Sequence, residues 1–310
     1  MAYEVKQFKA SDGVTISYHR WVFDGNEPRA VLVIAHGMAE HGARYSNFAS
    51  YANAQGFRVY VPDHRGHGIT AGTPEKTGFF APKNGWWKVV DDLQQMLDIA
   101  TRENPKKNVF LMGHSMGSFL VRTYICRNQP QIAGVILSGT GMNPKLLLMA
   151  GKAIAQLSIR LKGRNHPSKL LDSMSFGKFN KGFVSPFQWL SRDQSMVDAY
   201  IADAFCGQVF TTGFFSDLFD GLLYIGNDSN LTYADNTLPV LVISGTDDPV
   251  GDYGKSVKKV FAQLQKAGFD DLQLKMYQGA RHELINEINR DDVYKDIIEW
   301  LKNKNLHYGA

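Results

Sequence analysis

Five short apolar runs constrain this chain more than any other feature: AVLVIAHG (30 to 37), FRVYVPD (57 to 63), NVFLMG (108 to 113), GVILSG (134 to 139) and PVLVISG (239 to 245). Each is too short for a typical helix, rich in β-branched residues and apolar nearly throughout, as expected of a strand buried on both faces of a parallel sheet. Helical patterns fall between them, at 44 to 54, on Trp86, Val89, Val90, Leu93, Met96 and Leu97, and at 115 to 127. Strand and helix alternate, which predicts an α/β fold with a mostly parallel central sheet and helices on both faces. At the start, VTISYHRWVF (14 to 23) with EVKQF before it suggests an antiparallel hairpin. Towards the end, a helix around 254 to 266, the strand LQLKMYQG and an amphipathic helix on Val293, Ile297, Ile298 and Leu301 resume the rhythm.

Between about Thr140 and Thr237 the rhythm breaks. LLLMAGKAIAQLSIRL (146 to 161) has a helical pattern, and AYIADAFCGQVFTTGFFSDLFDGLLYIG is dense in Phe, Tyr and Leu. The expected organisation is one core made of 1–139 and 238–310, with 140–237 inserted as a helical cap. Residues 146 to 161 and 205 to 223 either wall an apolar tunnel or form the core of the cap itself. The loop DHRGHGITAGTPEKTG is expected to lack regular structure because of its glycines and prolines.

Composition excludes several classes of function. With 44% hydrophobic and 21% charged residues among 310, the chain can bury a sizeable core and is not a disordered one. The net charge is +4, and the densest basic pairs, Lys106-Lys107 and Lys258-Lys259, read as solvated faces, so no nucleic-acid partner is expected. MAYEVKQFKASDG does not read as a signal peptide, and no run approaches ~18 consecutive apolar residues. Cys126 and Cys206 are the two cysteines, too few for a disulfide framework, so a reducing cytoplasm is the expected compartment, with one bridge left open.

The chemistry centres on Gly113-His114-Ser115-Met116-Gly117, a G-x-S-x-G where the strand VFLMG meets a helix. A serine on such a sharp turn is presented as a nucleophile, and small flanking residues avoid clashes across the turn. A serine hydroxyl needs a general base and a group to orient that base. Asp247-Asp248-Pro249 follows the strand PVLVISG, and His282 follows LQLKMYQG. The order Ser, Asp, His is that of the α/β-hydrolase triad, with all three on one edge of the sheet. Pro249 favours Asp248 over Asp247 by restricting the backbone of its predecessor, and Asp247 otherwise reads as a turn or capping residue. For the developing oxyanion, the expected donors are the backbone N–H of Met116 and of Met38 in the loop after AVLVIAHG.

The remaining histidines read as supporting residues. His36, His41, His64 and His67 lack a metal-ligand spacing and are expected to anchor loops, so neither a metal nor an organic cofactor is expected. His19 lies in a strand pattern, His114 within the elbow, and His166 and His307 read as surface residues.

HGMAEHGARY, DHRGHG, GHSMGS, GTDDPV and QGARHE resemble, in order and spacing, the monoacylglycerol lipase and lysophospholipase-like family of serine α/β-hydrolases over nearly the whole chain. The segment DAYIADAFCGQVFT is nearer to bacterial members. The resemblance implies an α/β-hydrolase fold with an inserted helical cap, Ser115 as nucleophile, His282 as base and Asp248 as the third member. The oxyanion loop has a single glycine rather than HGGG, which in related enzymes goes with esters of unhindered alcohols. The elbow differs from the GGSWG of proline iminopeptidases.

The expected function is therefore hydrolysis of small acyl mono-esters, monoacylglycerol-like or lysophospholipid-like, through an acyl-enzyme. Alternatives on the same triad are a short-chain or aryl carboxylesterase, a thioesterase or an acyltransferase; a ligand-binding homologue without catalysis is the alternative from another class. The partner is a small acyl-ester substrate, and the apolar cap helix is a candidate for transient contact with a membrane or micelle.

Overall fold

The computed structural model describes residues 2–22, 27–128 and 131–308, and side chains through residue 306. Its elements in chain order are β1 (Ala2–Lys9), β2 (Thr15–Val22), β3 (Ala30–Ala35), α1 (Ser46–Ala54), β4 (Phe57–Pro62), α2 (Gly68–Ala71), α3 (Gly85–Glu103), β5 (Val109–His114), α4 (Met116–Arg127) and β6 (Gly134–Ser138). They continue with α5 (Lys145–Lys162), α6 (Lys169–Phe176), α7 (Gln194–Ala202), α8 (Thr212–Ile225), α9 (Asp228–Leu231), β7 (Val240–Gly245), α10 (Lys255–Lys266), β8 (Leu272–Tyr277) and α11 (Arg290–Tyr308). Phe23, placed at the end of the second strand by its pattern, and His307, read as a surface side chain, lie outside the described residues and side chains.

All eight strands form one sheet in the order β1-β2-β4-β3-β5-β6-β7-β8. The first two joints are antiparallel and every later one is parallel. Because side chains alternate across a strand, the apolar runs feed both faces. Val31, Val33 and Ala35 of β3 join Val109 and Leu111 of β5 on the face covered by α3 and α4. Leu32, Ile34, Phe110 and Met112 point to the face covered by α1 and α11. The strand order reverses between β3 and β5, so the loops leaving their carboxyl ends open a crevice there, where α/β sheets bind ligands.

The loop after β4 is more regular than its glycines and prolines suggest, with the single turn α2 and a 3₁₀ turn at Pro74–Lys76. Asp63 explains it: the buried carboxylate accepts the N–H of Gly42 and of Ile69, each at 2.7 Å, and binds His19 Nε2 at 3.2 Å. Those bonds satisfy otherwise orphaned donors at the start of a turn.

The segment between β6 and β7 carries α5 to α9. Its aromatic-rich part is core, with Phe210, Phe214 and Phe215 fully buried in the cluster that holds Trp86 of α3 and Leu120 of α4. Leu146, Leu147, Leu157 and Leu161 of α5, in contrast, are exposed. No helix among the described residues is long and apolar enough to cross a membrane.

Candidate active site

Ser115 lies between β5 and α4 with φ 52° and ψ −120°. A side chain in that region costs on the order of 1–3 kcal/mol and persists only where its surroundings hold it. Here the Ser115 N–H donates to Ser138 O at 2.9 Å, and Ser115 O accepts from Ser118 N at 2.8 Å and Ser118 Oγ at 2.6 Å. A Cβ on Gly113 would lie 2.4 Å from Gly117 O, and one on Gly117 would lie 1.9 Å from Ala35 O. The first turn of α4 thus rests directly on backbone, and both elbow glycines are required by space alone.

Asp248 and His282 come from the loops after β7 and β8 and are buried. Both carboxylate oxygens of Asp248 stand 3.0 Å from His282 Nδ1, and Val250 N–H donates to Oδ1 at 2.8 Å. A carboxylate only accepts, so Nδ1 carries the proton and Nε2 is left as the basic atom. Asp247 is exposed and accepts from Thr246 Oγ1, so Asp248 is the one paired with the imidazole. Burial works against a charged His282, but Asp248 beside it outweighs this and raises its pKa above the ordinary value, with Glu283 and Glu40 adding to the effect. His114, whose ring centroid is 4.7 Å from that of His282, is instead held neutral at about 3 by burial and by His282.

The loop after β3 passes over the serine, since a Cβ on Gly37 would lie 3.2 Å from Ser115 Cβ. His36 fastens that loop: Nδ1 donates to Gly37 O at 2.8 Å and Nε2 accepts from His64 N at 3.0 Å. His67 donates from Nδ1 to Arg65 O at 2.9 Å. Burial first, and the neighbouring rings, hold His36 well below its ordinary pKa and His64 at about 3; burial, with His41 adding to it, outweighs the bond to Arg65 O and the charge of Asp63 in bringing His67 to about 4. His41 binds Asp203 Oδ2 at 2.8 Å.

Ser115, His282 and Met38 line one cavity of about 150 Å³. Phe176, Phe187, Trp189 and Leu190 supply apolar wall, and Asp172, Asn180 and Gln208 supply polar groups. No residue of 146 to 161 is among its walls, and 205 to 223 contributes only Gly207 and Gln208. Most of the apolar lining of the site comes from 176 to 190, a stretch whose sequence has no clean periodicity.

Residues 26–289 match the family described as serine aminopeptidase, S33. The chain belongs to that family. A monoacylglycerol lipase of Mycolicibacterium smegmatis is 29% identical over 302 residues, covering 95% of each chain. A monoglyceride lipase of Mus musculus is 25% identical over 303 residues, 97% of this chain and 91% of that one. The crystal structure of a thermostable carboxyl esterase from Bacillus coagulans, in complex with glycerol, superposes with a TM-score of 0.90 at 25% identity and covers 98% of this chain and 99% of that one. This member of the S33 family is thus an α/β-hydrolase of the esterase and lipase group.

Sequence reading overlooked a buried ion network in this S33 hydrolase. Arg44 donates from Nη1 to Glu40 Oε2 at 2.9 Å and grips Glu283 with two bonds of 2.6 and 2.7 Å. Glu40 Oε1 in turn accepts the Gly37 N–H at 2.6 Å and the Tyr45 hydroxyl at 3.0 Å. Burial favours a neutral Glu283, yet Arg44 overrides it and brings the carboxyl to about 2; for Glu40 burial prevails and the pKa is raised. One guanidinium thereby fixes both the loop over Ser115 and the residue after His282. The available signals were the i, i+4 spacing of Glu40 and Arg44 and the acid beside His282. Leu190 O accepts the Glu283 N–H at 2.7 Å, and Arg281 Nη1 donates to Gln188 O and Ser191 O at 2.6 and 2.9 Å, so residues 188 to 191 buttress the same loop.

Proposed function

We propose that this protein hydrolyses small acyl mono-esters, monoacylglycerol-like or lysophospholipid-like, through an acyl-enzyme on Ser115. The observation that carries the reading is the convergence of an elbow-borne serine and a carboxylate-held imidazole on one cavity with apolar walls. His282 Nε2 takes the hydroxyl proton of Ser115 as the serine attacks the ester carbonyl, and Asp248 holds the imidazole and stabilises its cationic form. The amides of Met38 and Met116 receive the negative charge on the carbonyl oxygen. His282 returns the proton to the leaving alcohol, and water repeats the sequence on the acyl-enzyme. No step calls on a metal or an organic cofactor.

A volume of about 150 Å³ lies below the roughly 300–1,000 Å³ usual for ligand pockets. It suits an ester group with a polar head, and a long acyl chain needs the wall of 172 to 187 to yield. That makes the helices between β6 and β7 the cap over the site. Its outer side supports contact with anionic lipid: between 145 and 183 the chain has eight Lys and Arg, of which Lys152 and Arg164 pair with Asp220 and Asp217, and one acid, Asp172, beside the exposed Leu146, Leu147, Leu157 and Leu161. Free buried Cys126 and Cys206 suit a reducing compartment such as the cytoplasm.

The family description also points to aminoacyl substrates, which need an uncommitted carboxylate for the substrate ammonium. Glu40 and Glu283 line the cavity but are both engaged by Arg44, and burial pushes Asp172, the third acid in the wall, towards its neutral form, which favours neutral esters. A panel crossing acyl length with alcohol head group, plus an aminoacyl amide, tests the reading. Expected is a maximum on medium or long acyl mono-esters, at least about 10-fold above acetyl esters and far above the amide, which corresponds to about 1.4 kcal/mol in the transition state. Activity confined to acetyl and propionyl esters, or to the aminoacyl amide, refutes it.

A further inference from the structure

His41, Asp203 and Cys206 have no part in the chemistry above, yet the fold brings them together at the junction of the loop after β3 and the turn after α7. His41 precedes the 3₁₀ turn Gly42–Tyr45, and its Nε2 meets Asp203 Oδ2 at 2.8 Å across 162 positions of sequence. Asp203 closes α7, where its Oδ1 accepts Phe205 N at 2.9 Å and its carbonyl accepts Cys206 N at 3.0 Å. That tight turn puts carboxylate and thiol on one side. Donor atoms of the three residues all lie within 4.8 Å of one another. The two loops are also held together independently, because Ala39 O accepts both the Tyr200 hydroxyl at 2.9 Å and Gly207 N at 3.1 Å.

We propose that His41, Asp203 and Cys206 form a binding site for a thiophilic divalent ion, Zn²⁺ being the best match, with a fourth position open to water. Imidazole, carboxylate and thiolate are the donors Zn²⁺ prefers, and tetrahedral coordination needs them about 3.3 Å apart, within reach by small side-chain shifts. His41 also lies near His19 and Asp63, but that group is the weaker candidate. Asp63 is buried and already accepts from Gly42, Ile69 and His19, whereas Asp203 is one-third exposed, so an ion can reach it. On binding, the Cys206 S–H bond is replaced by a sulfur–metal bond and its proton leaves for solvent; His41 exchanges its bond to Asp203 for coordination as a neutral ring. The ion then clamps the turn after α7 to the loop that carries Met38 and Glu40.

Titration of the intact protein with Co²⁺, a spectroscopic stand-in for Zn²⁺, tests the site. Expected are one equivalent bound with a thiolate-to-cobalt absorption band, displacement of that band by Zn²⁺, and a Zn²⁺-dependent rise in melting temperature. Cys206→Ala should abolish the band, Asp203→Asn should weaken Co²⁺ binding about 10-fold or more, and Cys126→Ala should leave both unchanged. Absence of a thiolate band in the unaltered protein, or its survival in Cys206→Ala, overturns the proposal. If Cys206→Ala does not fold by circular dichroism, Asp203→Asn decides, and unchanged Co²⁺ affinity there overturns the proposal equally.

Discussion

The carboxyl edge of the sheet and the helices between β6 and β7 face each other across one cavity, but they are constrained in different ways. At the sheet edge the constraints are on the backbone. Gly113 and Gly117 leave no room for a Cβ, Ser115 has a positive φ fixed by three hydrogen bonds, and Asp248 and His282 are buried against each other. Across the cavity the constraints change along the chain. Residues 188 to 191 are bonded to the loop of His282, α8 is packed into the main core, and α5 keeps several leucines in solvent. Position is dictated where chemistry is done, and the surface opposite can vary without moving the triad.

The sharpest way to break that contrast is Ser115→Ala. Turnover of the best ester should fall by a factor on the order of 10⁵–10⁶, with labelling by a fluorophosphonate lost and the melting temperature nearly unchanged. Residual turnover within about 10-fold of the unaltered protein would show that another group is the nucleophile and that the sheet edge serves structure only.

The same contrast explains what could be read from sequence. Parallel strands buried on both faces leave uniform apolar runs, and an elbow with no room for a Cβ leaves glycines at fixed spacing, so β3 to β7 and Ser115 were legible, whereas the edge strand β8 alternates apolar and polar residues. Between Asp247 and Asp248, which both follow β7, Pro249 and the family resemblance favoured Asp248, and burial against His282 separates them in the fold. The cavity wall was not legible. Phe176, Phe187, Trp189 and Leu190 come from a helix end and an irregular stretch, whose pattern reflects contacts with distant loops. Residues 146 to 161 and 205 to 223 read equally as a wall or as a core because they are apolar, and apolarity alone does not separate a lining from a core or an exposed face; only Gly207 and Gln208 of them reach the cavity. The Arg44 network was hidden for a related reason, since Arg44 and Glu283 are 239 residues apart in sequence and only the fold joins them.

That network gives the next largest effect. Arg44→Met leaves Glu283 buried without its cation and Glu40 without its counter-charge, which should cost about 3–5 kcal/mol in denaturant unfolding. Glu283→Gln removes one carboxylate while keeping the shape, so its cost should be smaller. An Arg44→Met protein as stable as the unaltered one would mean that the loop over Ser115 is held by its histidines alone.

Acid separates frame from chemistry. His36, His64 and His67 are neutral in the fold with pKa values below the ordinary 6.5, so the unfolded chain binds more protons as pH falls. Their contribution to stability is fully present above about pH 6.5 and is lost progressively as pH falls towards 4 and 3, by up to about 1.4 kcal/mol per pH unit for each. His282 behaves in the opposite sense. Its pKa is raised, and catalysis needs it neutral, so kcat/KM should climb with pH through a midpoint above 6.5, where the contribution of the three buried histidines is already complete. Urea melts and kcat/KM profiles across pH 4 to 9 should therefore show separate transitions. If the two coincide, loss of activity in acid is unfolding and says nothing about His282.

The smallest effect on stability belongs to the outer face of α5. Leu146 and Leu161 are 81% and 74% exposed, so replacing both by Ser removes little buried surface and should change unfolding free energy by no more than about 0.5 kcal/mol. Turnover of a water-soluble short ester should stay within about twofold, since neither residue lines the cavity. Binding to vesicles containing anionic lipid, measured by sedimentation, should fall at least about fivefold, because these side chains and the neighbouring Lys145, Arg160 and Lys162 offer the apolar and basic contacts an interface-bound helix uses. Unchanged vesicle binding in the double variant would remove α5 from the membrane-facing side and leave its exposed leucines without that role. A loss of short-ester turnover instead would mean that α5 acts on the cavity through α8, against which it packs, and would erase the division between the two sides of the site.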